Sequence, residues 1–526
     1  MAESREARVF RLRWWTLVTV AISILLIVLD ATVLNVALPT IQKKLSAAST
    51  ELLWMVNAYT MVFGALMLTT GSLADRLGRA KLLQAGVVVF GLASVGAYFS
   101  GTATHLIVWR VLQGIGGAMI LPTTLAIITN VFPEKERPRA IGIWAGLNAV
   151  GIALGPIIGG ALVQNFNWNS IFLINIPVAA VALVMGIFLV PDSKDSHPRK
   201  LDIVGNVLSL AGLASLIYGL INGGSRGWTD AQVLGTLIGG AAILLLFVLW
   251  ERRVSEPLLE IGFFKDMRFT AGISVIMILG LALNGFQYIS TFYMQFVKAY
   301  TALGTGLRYI PLAVGLLIGA VSSDRIAKPI GSKWVMTAGF AGTSAVLFAM
   351  SGLTAATSYY PLGTELFFLG LCLGLIMAPV TDVIMGALPK DKAGIGSATN
   401  TVFRMVSGAV GVAVIGSILS SVYRSNFTRA VSAIHGLTAV ISQKGGDSVG
   451  AALAISGSGQ LPAPVANSLA MAGRQSFMDG WHILAIITGC IALAGVAVVI
   501  AFMPARQRQP ADEAVGEHTT RHAGLR

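Results

Sequence analysis

Apolar runs long enough to cross a lipid bilayer recur along nearly the whole chain, broken by short polar segments about every 20 to 30 residues. Hydrocarbon offers backbone groups no water to bond, so only helices and closed barrels span it, and runs of about 20 residues have helical length. We read fourteen spans, at 14–36, 53–70, 82–100, 106–128, 140–163, 171–190, 203–221, 233–250, 271–295, 303–321, 334–352, 362–388, 397–420 and 481–503. Charged residues make up 12% of the chain and hydrophobic residues 55%, whereas a soluble domain carries about 25% charged residues. The fold class is therefore an all-α integral membrane protein.

The net charge of +13 reads as topology, because no basic patch lies on a soluble segment large enough to fold and bind nucleic acid. An even number of spans puts both termini on one side. The loops of that side, with the termini, hold about three times as many Lys and Arg as the other loops. Both termini are thus expected in the cytoplasm and the chain in the plasma (inner) membrane. Arg5, Arg8, Arg11 and Arg13 precede an apolar stretch too long for a signal-peptide core. Cys372 and Cys490 sit in apolar runs and the six histidines have no ligand spacing, so no metal or other cofactor is expected. No G-x-x-x-x-G-K-[ST] occurs, which argues against a nucleotide-driven pump.

Charged residues mark the rest. The run GSLADRLGRAKLL at 71–83 reads as a tight loop after span 2, with Gly71 and Gly78 permitting the turn. Its echo, Ser323-Asp324-Arg325 with Gly331 and Lys333, follows span 10, so spans 1–6 and 9–14 read as two parallel repeats and spans 7–8 as an inserted pair. The corresponding boundaries are a cytoplasmic N-terminus at 1–13, a first bundle at 14–190, the inserted pair at 203–250, a second bundle at 269–503, and a polar, disordered tail at 504–526. The Gly-, Ser- and Ala-rich stretch 421–480 is one long outer loop, either a flexible linker or a segment that caps the bundle or lies on the membrane.

Four ionisable residues stand out inside spans, Asp30, Arg110, Asp382 and Arg404, where charge is expensive and usually functional, whereas Glu365 and Arg308 lie near outer span ends and read as interfacial. At about 1.5 Å per residue, Asp30 and Arg110 share one depth in the outer half, and Asp382 and Arg404 share another in the inner half. Each couple is read as a proton carrier with its counter-ion or as a static buried ion pair; Asp30 is the first candidate, with Thr32 and Asn35 close by, and Asp382 the second. In span 5, Gly151, Gly155 and Gly159 recur every four residues on one face, a spacing that lets helices approach closely, and Pro156 adds a kink. Asn284, Gln287 and Tyr288 share a face of span 9, and Asn57, Tyr59 and Asn148 are further polar or aromatic positions. Aromatic packing explains such residues as well as a substrate surface does.

Several of these patterns together resemble the fourteen-helix drug:proton antiporter branch of the major facilitator superfamily: the 71–83 loop, LDATVLNVALP at 29–39, RVLQGIGG at 110–117, GIALGPIIGG at 151–160, IFLINIP at 171–177 and LDIVG at 201–205. The resemblance covers most of the first half and is looser in the second. It implies two six-helix bundles plus two inserted helices around a central cavity lined by helices 1 and 4, the counterpart of span 12, and span 9. It further implies that Gly71, Asp75, Arg76, Gly78 and Arg79 form a gate, Asp75 facing a helix start near 394–397. Gly151, Gly155, Pro156, Gly159 and Gly160 would seal helix 5 against its partner in the other half. The expected function is proton-driven efflux of amphipathic, cationic or neutral drug-like molecules by a monomer, with protons, small-molecule substrates and membrane lipids as its partners. An exporter of lipids or secreted metabolites with the same fold is the alternative. No catalytic constellation points to a membrane enzyme, and the paired intramembrane charges argue against a sensor.

Overall fold

The computed structural model describes residues 5–195, 201–388, 393–434 and 437–503; the expected polar tail and residues 1–4 lie outside the described residues. Fourteen long helices follow one another: α1 Arg5–Leu45, α2 Ser49–Leu77, α3 Arg79–Tyr98, α4 Ala103–Val131, α5 Arg137–Asn165, α6 Ser170–Leu189, α7 Ile203–Arg226, α8 Ala231–Glu251, α9 Met267–Phe292, α10 Ala302–Ile330, α11 Ser332–Met350, α12 Tyr359–Gly386, α13 Ala393–Val431 and α14 Ala463–Phe502. Thirteen of them are long and apolar enough to cross a membrane. The remaining one, α11, has 19 residues and packs between α12 and α14. No strand occurs among the described residues. The chain itself caps many helix starts: side chains of Thr102, Asp202, Asp230, Asp266 and Thr301 accept first-turn N–H groups that would otherwise be orphaned.

The two bundles repeat one arrangement. In the first, α1 packs on α5 and α6, α2 and α3 on α4, and α3 on α6. In the second, α9 packs on α13 and α14, α10 and α11 on α12, and α11 on α14. Adding eight to each helix number turns the first set into the second, so the repeat signalled by two short motifs extends through both bundles. The halves meet along two repeat-related contacts, α2 with α13 and α5 with α10. The inserted helices α7 and α8 pack on each other, and α7 lies against both α2 and α13, clasping the first contact. Asn206 donates to the Ala65 carbonyl (3.1 Å) and to Thr69 Oγ1 (2.7 Å) on α2, while Gly224 abuts Ser417 on α13.

The charged run after α2 is more helical than expected. α2 continues to Leu77 and α3 begins at Arg79, leaving Gly78 as the whole turn. Gly71 lies inside α2, and a Cβ there would meet only Pro122 Cβ at 3.8 Å, so the turn does not require it. Gly78 is different: its φ is +117°, and a Cβ would fall 2.8 Å from Asp192 Oδ2. Gly331 repeats this turn with φ +89°, and both glycines donate to the carbonyl four residues back. We expect Gly78→Ala to destabilise the protein by about 1–3 kcal/mol and Gly71→Ala to leave it unchanged; thermal unfolding of the purified protein in detergent measures both.

At the opposite end of the bundle, α13 and α14 run to 39 and 40 residues, about 60 Å of helix against about 30 Å of hydrocarbon. Their extensions hold a folded cap with two short helices, Ala439–Gly445 and Val449–Ser456. Tyr423 stacks on Phe427 and donates to the Gly445 carbonyl (2.9 Å). Gly450 sits between Gln42 of the first half and Phe296 of the second, and Ser49 Oγ donates to the Asp447 carbonyl (2.7 Å). Among the described residues, 421–480 thus consists of helix extensions and two short packed helices instead of one long loop.

Candidate functional site

Asp30 and Arg110 meet inside the first bundle. Their side chains are each 1% exposed and form an ion pair through Arg110 Nη1 and Asp30 Oδ2. Four helices supply the surroundings. Gln113, one turn past Arg110 on α4, accepts from Arg110 Nη1 (2.8 Å) and donates to Asp30 Oδ1 (3.0 Å). Asn175 of α6 donates to the same oxygen (2.8 Å). Ser94 of α3 accepts from Gln113 (2.9 Å) and Asn175 (3.3 Å), and Arg110 Nε donates to the Met55 carbonyl of α2 (3.1 Å). The Arg110 guanidinium lies 4.2 Å from the Tyr59 ring centre. Either charge alone would be costly to bury, whereas the pair is neutral and nearly every lone pair and proton around it has a partner.

Depth arithmetic found this pair, but it missed the amides. Gln113, Asn175 and Ser94 are all buried, and their only signal is a polar side chain inside an apolar run. Tyr59, expected at a substrate surface, instead belongs to this network: it is 3% exposed, because its ring covers Arg110.

The lower couple does not form. Asp382 and Arg404 are both exposed, and no ion pair joins them among the described residues. The expected buried pair is therefore corrected: equal depth placed them at one level but said nothing about which way each helix turns its side chain. Arg404 lies well inside α13.

The span 5 motif divides between two partners. A Cβ at Gly151 would meet Val28 (2.9 Å), one at Gly155 would strike Thr32, and one at Gly159 would meet Val33 (2.9 Å), all on α1 of the same bundle. The glycine stripe thus closes α5 onto α1. The neighbouring face reaches across the halves, where a Cβ at Gly160 would fall 2.5 Å from the Ala302 carbonyl oxygen and 2.7 Å from Leu303 Cα, and one at Gly306 of α10 would strike the Pro156 carbonyl. The named contacts between halves run from mid-depth to the capped end: Gly64 beside Met405, Leu53 beside Gly416, and Gln295 donating to the Val36 carbonyl (2.8 Å).

Asp75 pairs with Arg79 in its own turn (Nη2 to Oδ1, 2.8 Å), and its carbonyl accepts Asp195 N–H (3.0 Å). Arg79 N–H donates to the Ser193 carbonyl (3.0 Å), so the segment after α6 is laced to this turn. Arg76 is half-buried beside it. Residues 389–392, ahead of the helix start that Asp75 was expected to face, lie outside the described residues. Nearby, the hydrogen bond from Arg13 holds the Glu136 carboxyl below its usual range.

The remaining polar positions are scattered. Asn57 is fully buried, donates to the Leu53 carbonyl (2.9 Å) and leaves its Oδ1 without a partner. Asn284 packs its amide 3.0 Å from the Cβ position of Gly408, between α9 and α13. Tyr288 is 4% exposed against Phe292. Asn148 and Gln287 are half-buried, and the Asn148 amide donates to the Trp144 carbonyl (3.2 Å). Asn57, Asn284 and Tyr288 therefore sit in packing positions in this conformation.

Residues 20–412 match the Major Facilitator Superfamily. The multidrug efflux pump LfrA of Mycolicibacterium smegmatis is 34% identical over 92% of this chain and 95% of its own length. The tetracenomycin C resistance and export protein of Streptomyces glaucescens is 31% identical over 93% and 91%, and the methyl viologen resistance protein SmvA of Salmonella typhimurium 30% identical over 94% and 99%. Among solved structures, an inward-facing bacterial homolog of the human lysosomal transporter Spinster aligns over 95% of this chain and 99% of its own at a TM-score of 0.63 with 16% identity. Its sequence, its helix repeat and these relatives make this chain a member of the major facilitator superfamily.

Proposed function

We propose that this protein is a proton-driven multidrug antiporter that exports amphipathic compounds across the plasma membrane by alternating access, with both termini in the cytoplasm. The observation that carries the reading is the neutralised Asp30–Arg110 pair buried within one moving half. The Lys and Arg bias supports the orientation, and efflux relatives at 30–34% identity over nearly full length support the substrate class.

In this conformation the Asp30 carboxyl is paired with Arg110 and hydrogen-bonded by Gln113 and Asn175. A carboxyl that loses its guanidinium partner in a low-dielectric setting takes up a proton instead. A rearrangement within the first bundle that parts α1 from α4 as the halves rock would exchange one partner for the other, and substrate and proton would then favour opposite states through differential binding. Exposed Arg404 and Asp382 face the cytoplasmic opening, with Asp382 as a second proton carrier.

The test is dye uptake into inverted vesicles under an imposed proton gradient. Uptake of cationic dyes that a protonophore abolishes supports the proposal. Gradient-independent uptake, or transport confined to lipids, would overturn it.

The turn at Gly78 is the proposed cytoplasmic gate. In the alternate state Asp75 would face the positive first turn of α13. We expect Asp75→Asn to change stability here by no more than about 1 kcal/mol, since its pair with Arg79 is partly exposed. Cysteine labelling in the cytoplasmic half of the cavity should nevertheless rise; unchanged labelling would remove Asp75 from the gate.

A further inference from the structure

The LDIVG motif ahead of α7 has a partner at the far end of the inserted pair. Asp202 caps α7, its Oδ1 accepting Gly205 N–H (2.8 Å), and the Trp250 indole donates to Oδ1 (3.0 Å) and Oδ2 (3.1 Å). Glu251, the last residue of α8, is 3% exposed and Asp202 7%. Glu251 Oε2 accepts Leu259 N–H (2.9 Å), but Oε1 is buried without a hydrogen-bond partner. That oxygen is aimed at Asp202: a Cβ on Gly205 would lie 2.5 Å from both Asp202 Oδ2 and Glu251 Oε1.

Among the described residues, the charged groups around them do not neutralise this arrangement; His197, Arg199 and Lys200, which precede Asp202, lie outside the described residues. Arg252 and Arg253 follow Glu251 and are exposed. Glu256 and Glu260 near Leu259 are acidic and half-buried. On α2, against which α7 packs, the nearest ionisable residues along the helix are Asp75 and Arg76, and Asp75 is paired with Arg79. On α13, α7's other neighbour, Arg424 pairs with Asp447 at the capped end, and Arg404 makes no ion pair with either carboxyl. Among the described residues no Lys, Arg or His pairs with Asp202 or Glu251. Two buried carboxylates in contact cannot both be ionised without a counter-ion.

We propose that Asp202 and Glu251 bind one proton between them, a protonation site separate from Asp30 at the cytoplasmic end of the inserted pair. The proton sits on Glu251 Oε1 and is donated to Asp202 Oδ2, which gives the orphan oxygen its hydrogen bond and leaves a single negative charge held by Trp250 and Gly205. Its loss sets two like charges against each other where α7 begins and α8 ends. One turn on from Asp202, Asn206 grips α2, so proton loss loosens the clasp that the inserted pair forms across the seam.

Infrared difference spectroscopy of the purified full-length protein in lipid nanodiscs, titrated in pH, tests this without any transport measurement. A protonated-carboxyl C=O band should vanish as pH rises, persist in Asp30→Asn and be missing in Glu251→Gln. Asp202→Asn removes the repelling charge, so its band should titrate at lower pH, with proton binding weakened about tenfold or more. A band unaltered in Glu251→Gln, or an Asp202→Asn titration identical to that of the parent, overturns the shared proton. Should Glu251→Gln fail to fold, the direction of the Asp202→Asn shift decides alone.

Discussion

Asp30→Asn is expected to abolish proton-driven efflux from inverted vesicles and to cost about 3–5 kcal/mol of stability, because it strands Arg110 as an uncompensated buried charge. The two effects are separable. Arg110 keeps Gln113 and the Met55 carbonyl as partners, so the fold has a way to accommodate a neutral residue at 110. In Asp30→Asn combined with Arg110→Gln, the charge imbalance is gone and most of the stability should return. Coupling should not return, since no group at 30 can then exchange a proton. Thermal unfolding reports the first quantity and gradient-driven dye uptake the second. Proton-driven uptake surviving in the stable double variant would show that Asp30 is only a structural partner of Arg110.

Gly160→Ala is expected to shift the conformational balance by about 5- to 150-fold away from the state described here. The added Cβ would lie 2.5 Å from the Ala302 carbonyl and 2.7 Å from Leu303 Cα, backbone atoms that cannot swing aside. Overpacking of this kind costs about 1–3 kcal/mol, charged only to the state in which α5 and α10 touch, and a free-energy difference of that size is the quoted population change. Labelling of a cysteine placed on the Leu303 side of the seam should rise accordingly. Gly155→Ala is the contrasting variant: its clash with Thr32 lies within the first half, so it should destabilise both states and leave the labelling ratio unchanged. Equal labelling of Gly160→Ala and the parent would mean that this contact does not close the seam.

The membrane architecture was legible because hydrocarbon tolerates so few solutions: fourteen apolar runs, read by length alone, reappear as fourteen helices. The Asp30–Arg110 meeting was legible for a related reason, as rise per residue converts position into depth. Depth carries no azimuth, which is why the same arithmetic misassigned Asp382 and Arg404. The small-residue spacing of 151, 155 and 159 announced a close approach without naming the neighbour, and α1 took the place expected of the other half. Charges at 75–81 read as a loop because they cannot enter lipid, yet the two helices simply continue up to Gly78. Gln113 and Asn175 escaped notice because an amide in an apolar helix looks the same whether it binds a carboxylate or a backbone carbonyl.

The cap bears on how far the machine can travel. Its helix Val449–Ser456 rests on Gln42 and Phe296 through Gly450, one from each half, and is strapped to α14 by residues 457–462. In the alternating-access cycle proposed above, opening at this end would peel one side of this lid while the strap stays attached to the other. The width of the exit is limited by the reach of a few loop residues, and a disulfide or nanobody locking that strap would jam the stroke without touching the cavity.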